Sequence, residues 1–181
     1  MQNTEQYYGA IAISLHWLIA MLIIGLFILG YWMVDLGYYH PWYNTGPDIH
    51  RAIGIVLCAL MLIMFISQII QRKPKSIPSH SQFEQVAGAL AHKLLYLVVV
   101  VVLLSGYLIS TADGRSINVF ELITVPSSGQ WFTEQADIAG FIHQYLAYTL
   151  LALVAIHAGA ALKHHFIDKD KTLSRMLGNK H

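Results

Sequence analysis

The stretch Phe141-Ile142-His143-Gln144-Tyr145-Leu146-Ala147-Tyr148-Thr149-Leu150-Leu151-Ala152-Leu153-Val154-Ala155-Ile156-His157 decides how the chain folds, because it is almost wholly apolar yet holds a histidine at each end. Fourteen positions separate the two histidines. At about 3.6 residues per turn that is nearly four turns, so both imidazoles leave a helix from almost the same face. A rise of about 1.5 Å per residue sets them roughly 21 Å apart along the axis. The hydrocarbon of a bilayer is about 30 Å thick, so one such helix would carry an imidazole in each leaflet.

The rest of the chain agrees with a membrane setting. Of 181 residues, 56% are hydrophobic and 12% charged, about half the charged fraction of a soluble domain. Four apolar stretches, at about 11–34, 49–70, 86–110 and 138–162, are near the ~20 residues a helix needs to cross. The expected fold is all-α, an integral membrane four-helix transmembrane bundle, with residues 1–181 forming one domain. Residues 1–10 hold no Lys or Arg, and the following apolar run is too long for a signal peptide, so the first helix is expected to stay. Arg72, Lys73 and Lys75 lie in the second connection, and Lys163, Lys169, Lys171, Arg175 and Lys180 lie in the tail. The positive-inside bias then puts both termini in the cytoplasm, and connections 35–48 and 111–137 outside a bacterial inner membrane. Tyr31, Trp32, Tyr38, Tyr39, Trp42 and Tyr43 fit an aromatic belt at the outer face. A net charge of +1 with no basic stripe gives no reason to expect nucleic acid. Cys58 is the single cysteine, so no internal disulfide forms and covalent c-type haem attachment is excluded.

Ten histidines sort by depth. His40 and His80 fall in connections, His181 ends the chain, and His164 and His165 lie at the inner end of the fourth helix. Polar rings inside the apolar spans are functional candidates by default. His16 lies about 8 Å and His157 about 9 Å from the cytoplasmic boundary. His50 and His143 each lie just inside the outer end of their helices. Topology thus pairs His16 with His157 and His50 with His143, and each pair could ligate one haem iron from opposite sides. The plainer alternative is four core histidines bonded to backbone carbonyls, which the matched depths disfavour. Gly25, Gly30, Gly54, Gly106 and Gly159 could let a flat macrocycle approach the helices, or could serve ordinary helix packing. An iron with two protein ligands has no position left for O₂, so two such haem b groups would relay electrons through the bilayer.

His16-Trp17, Asp48-Ile-His50-Arg51, the His143/His157 spacing and Lys163-His-His-Phe-Ile-Asp-Lys-Asp-Lys-Thr-Leu-Ser-Arg-Met176 together closely resemble the bacterial cytochrome b561 family. Gly106-Tyr-Leu-Ile-Ser-Thr-Ala-Asp-Gly114 looks like one enterobacterial branch of it. The resemblance covers nearly the whole chain. It implies a multi-pass inner-membrane cytochrome with two haem b groups on His16, His50, His143 and His157, exchanging electrons with ubiquinone. One member of the family is a superoxide:ubiquinone oxidoreductase, which makes superoxide a candidate donor at the periplasmic face.

A quinone headgroup needs hydrogen-bond donors and a source of protons. His92, Lys93, Lys163, His164 and His165 could supply both at the cytoplasmic face, or could simply snorkel to lipid headgroups. Arg51 and Arg115 are candidate partners of the haem propionates. The acidic third connection, with Asp113, Glu121, Glu134 and Asp137, argues against a cationic funnel for superoxide. Two rivals remain: a haem-carrying anchor subunit serving a partner dehydrogenase, and a transition-metal transporter. The transporter is disfavoured because no carboxylate and only one thiol lies within the spans.

Overall fold

The computed structural model describes residues 2–178; Lys180 and His181 lie outside the described residues. Helices α1 (Ala10–Met33), α2 (Thr45–Ile70), α3 (Gln82–Thr111) and α4 (Gln135–Phe166) account for most of the chain, followed by the short α5 (Thr172–Met176). The first four run to 24, 26, 30 and 32 residues and are long and apolar enough to cross a membrane. Met21, Ile28, Phe65, Leu97, Leu104 and Ile156 are each more than half exposed, a surface suited to acyl chains rather than water.

Helices α3 and α4 exceed the expected spans because polar turns extend them. Ser81 and Glu84 form a capping box: the Glu84 amide donates to Ser81 Oγ at 3.3 Å, and the Ser81 amide to Glu84 Oε2 at 2.9 Å. Lys163, His164 and His165 occupy the last turn of α4, where cations complement the helix dipole.

The chain divides into two compact units, each containing part of all four long helices. One joins the chain up to Ala20, Leu60–Tyr96 and the chain from Ala152 onward. Leu15, Ile19, Met61 and Met64 are buried in it. Its chain ends are tied down: Lys75 Nζ pairs with Glu5 at 2.7 Å, Arg175 Nη1 donates to the Lys75 carbonyl at 2.9 Å, and Trp17 Nε1 donates to the Met176 carbonyl at 2.8 Å. The tail is therefore docked on α1 and on the α2–α3 connection.

The other unit holds Met21–Ala59 and Leu97–Leu151. It contains a feature the sequence reading did not foresee, an antiparallel ribbon of β1 (Ile117–Val119) and β2 (Ile123–Val125), with Asn118 opposite Thr124. Phe120 and Glu121 turn the ribbon with left-handed φ of 51° and 60°. Ile117 and Val119 bury against Ala52, with Ile55, Tyr107 and Val125 packed around them, so the connection lies down on the start of α2. The aromatic group of 31–43, at the end of α1 and in the connection after it, is exposed and edge-packed, with Trp32 and Trp42 ring centres 6.0 Å apart.

Gln135, only 1% exposed, fastens the start of α4. Its Oε1 accepts from the Trp131 amide at 2.7 Å, and its Nε2 donates to the carbonyls of Leu108 and Gly129 at 3.0 and 3.3 Å. Gln135→Leu keeps the bulk and strands these groups, each worth about 1–3 kcal/mol when buried unpaired. The expected result is a clear fall in Tm of the purified protein, followed by near-ultraviolet circular dichroism; an unchanged Tm would show that water replaces the amide.

Candidate functional site

His16 with His157, and His50 with His143, come together as two pairs, one within each unit. His16 and His157 have ring centres 6.2 Å apart with planes at 58°, and His50 and His143 are 6.1 Å apart at 73°. An imidazole nitrogen lies about 2 Å from a metal it ligates, which places the ring centres of two trans imidazoles on one ion about 6.2 Å apart. No hydrogen bond joins the rings within either pair among the described residues. Tilts of 58° and 73° rule out parallel stacking of the rings. The spacing fits a shared iron.

Neighbouring helices seat the second pair. His143 Nδ1 is 2.9 Å from the Val102 carbonyl and 3.3 Å from Ser105 Oγ. A carbonyl only accepts, so Nδ1 carries the proton and Nε2 keeps its lone pair, the arrangement that orients a metal-ligating histidine. Gly106 makes room: a Cβ there would sit 3.0 Å from His143 Cε1 and 3.2 Å from Nδ1. Gly30 does the same for His50, with a notional Cβ 3.1 Å from Cε1. His50 Nδ1 is buried with no hydrogen-bond partner, whereas a histidine retained for core structure would be satisfied. By contrast, a Cβ at Gly25, Gly54 or Gly159 would meet no other residue's atoms within 4 Å. The glycines thus fall into two sets: Gly30 and Gly106 accommodate imidazoles rather than a macrocycle, and the other three are unobstructed.

The group named for quinone chemistry separates. His92 is exposed on α3, with its ring centre 5.0 Å from that of His157 and its Nδ1 donating to the Gly88 carbonyl at 2.7 Å. That separation is too short for two trans ligands of one ion, so His92 is a neighbour of the pair. His164 instead faces Asp170 and Asp168 at 2.8 and 3.0 Å and stacks near His80, while Lys163 pairs with Asp168 and Glu84. His165 packs on Phe166, and Lys93 is exposed. Among the described residues His92 and His164 share no partner.

Arg51 and Arg115 line one cleft of about 340 Å³ with Asp48, Asn118 and Glu121. Arg51 is ion-paired to Asp48 and also donates to the Pro47 carbonyl at 3.2 Å. Arg115 Nε donates to Asp113 at 2.6 Å; these hydrogen bonds hold the Asp113 carboxyl below the usual range and raise the Arg115 guanidinium above its own. Both cations are thus matched locally by carboxylates, so the cleft offers an anion no net positive field.

Helices able to span the bilayer that bring imidazoles together in pairs suit a class, the membrane electron carriers built around an iron macrocycle. Within it, a family model described as prokaryotic cytochrome b561 matches residues 7–179, and the chain belongs to that family. Cytochrome b561 homolog 2 of Escherichia coli (strain K12) is 45% identical over 176 residues, covering 97% of this chain and 94% of that protein. A probable superoxide oxidase, CybB, of Yersinia pestis is 30% identical over 178 residues, covering 96% and 97%. Cytochrome b561 homolog 1 of Escherichia coli (strain K12) is 28% identical, covering 91% and 93%. The protein is a multi-pass membrane haem b cytochrome of the bacterial inner membrane, and its work is electron transfer.

Proposed function

We propose that the protein carries electrons across the inner membrane on two haem b groups, one held by His16 and His157 and the other by His50 and His143, and exchanges them with ubiquinone on the cytoplasmic side, where both termini lie. The observation that carries this reading is the pair of ring-centre separations, 6.2 and 6.1 Å, each matching two imidazoles on one metal. Haem b supplies reversible one-electron chemistry at its iron. The protein's own residues set the rest. Val102 fixes the proton of His143 on Nδ1, and the apolar helices exclude water from the pairs. His92 has its Nδ1 proton committed to Gly88, so its Nε2 is free to accept a proton beside the His16/His157 pair, as quinol oxidation requires.

Superoxide as donor rests on the name of the Yersinia pestis relative. The locally neutralised cleft at Arg51 and Arg115 gives that anion no steering field, so quinol exchange is the reading carried forward. The test is stoichiometry and turnover together. Purified protein is expected to give two haems per chain by pyridine haemochrome and to be reduced by ubiquinol in stopped flow. His92→Phe should slow that reduction by roughly 10-fold or more while the haem content holds. One haem per chain, or quinol reduction indifferent to His92, would overturn the respective half of the proposal.

A further inference from the structure

His80, in the α2–α3 connection, has no part in haem binding or quinone exchange, yet it is only 16% exposed and faces the tail. Its Nε2 lies 2.9 Å from Asp170 Oδ2, and the same oxygen lies 2.8 Å from His164 Nδ1. Asp168 Oδ2 approaches His164 Nδ1 at 3.0 Å, and Thr172 Oγ1 approaches His80 Nε2 at 3.2 Å. The ligand atoms of His80, His164 and Asp170 all lie within 4.8 Å of one another. Two imidazoles and a carboxylate, one from the α2–α3 connection and two from the end of α4 and the residues just after it, therefore lie together.

We propose that His80, His164 and Asp170 bind one divalent transition cation of the zinc class, with water completing its coordination, and so clip the tail to the α2–α3 connection. The donor set selects the ion. Calcium and magnesium take oxygen ligands, whereas mixed imidazole and carboxylate donors suit zinc and its neighbours. Tetrahedral zinc with ligands about 2.0–2.1 Å away separates those ligands by about 3.3 Å. The His80–Asp170 and His164–Asp170 contacts, 2.9 and 2.8 Å, reach that size on lengthening by about half an ångström. Charge agrees as well: Glu84, Asp168 and Asp170 against Lys163 leave two negative charges when the imidazoles are counted as neutral, which one divalent ion cancels. Lys163 Nζ, 2.7 Å from Asp168, is the competing cation, and it can remain on Glu84. Burial tends to raise the Asp170 carboxyl, but hydrogen bonds from Thr172 and His80 and the nearby His164 outweigh it and hold it at about 2, so the carboxylate is ionised and available near neutral pH.

The test uses tag-free, haem-loaded protein in detergent, stripped with chelator, freed of it and titrated with zinc chloride in a calorimeter. One zinc per chain is expected, bound at least ~10-fold more weakly by His80→Ala and by Asp170→Asn and unchanged by the control His40→Ala. An unaltered haem spectrum certifies the fold of each variant. Zinc-edge X-ray absorption on the wild type should show two imidazoles and carboxylate oxygen, and it stands even if a variant fails to fold. Absence of a saturable one-to-one site, wild-type affinity in both variants, or an edge spectrum without paired imidazoles would each overturn the proposal. None of these readouts depends on the number of haems or on the quinone site.

Discussion

On the proposed pairing, His143→Ala is expected to lower the haem content of the purified protein from two per chain to one and to leave the second haem spectrally intact. The basis is that each pair lies within its own compact unit, with ring centres 6.1 Å apart for His50 and His143 and 6.2 Å for His16 and His157. A histidine removed from one pair leaves the other pair untouched. His50→Ala should therefore abolish the same redox wave as His143→Ala. His16→Ala and His157→Ala should abolish the other. A potentiometric titration of the α-band separates the two outcomes. Loss of both haems from one substitution in a folded chain, or loss of the same haem from His16→Ala and His143→Ala, would break the pairing. His92→Ala supplies the internal control: its ring sits 5.0 Å from that of His157, too close to be the trans ligand, so both haems should remain.

The second large effect involves a residue with no functional group. Gly106→Val is expected to empty the His50/His143 pair as completely as loss of a ligand, because the new side chain would occupy the space of the His143 ring. Even Gly106→Ala puts a methyl 3.0 Å from Cε1 and 3.2 Å from Nδ1. The ring cannot simply swing away without giving up the bond from Nδ1 to the Val102 carbonyl. Overpacking of this kind costs about 1–3 kcal/mol, and loss of the orienting hydrogen bond lowers metal affinity by about 10–100-fold. Gly25→Ala in α1 is the contrasting case. A Cβ there meets no other residue's atoms within 4 Å, and the gain in helix propensity is about 1 kcal/mol. Haem stoichiometry and Tm for the three variants decide the matter. Equal haem retention in Gly106→Val and Gly25→Ala would refute the seating role.

What could be read from the sequence followed from period and depth. The spacing of His143 and His157 on one apolar helix, and the equal depths of His16 with His157 and of His50 with His143, are one-dimensional facts, and the structure brings those rings together. Helix ends were less legible, because Ser81 and Glu84 extend α3 through a polar cap that an apolar-run criterion passes over. The strands at Ile117–Val119 and Ile123–Val125 are three residues each, too short to show alternation against a loop background. Gly106 could not be singled out among the glycines of the spans, since α3 carries neither member of a histidine pair and only packing reveals which ring it receives. His80 reads as an ordinary connection residue, because only the folded tail brings its partners to it. Its partners His164 and Asp170 are distant in sequence, and no local motif links them.

Helix α4 contributes a member to both histidine pairs, and it is the last of the long helices to leave the ribosome. At about 5–20 residues per second, the imidazole of α1 waits on the order of ten seconds for its counterpart. A truncated or stalled product, however well inserted, would own half of each clasp and complete neither. Neither pair can therefore close before α4 has been made, whatever the order in which the earlier helices insert.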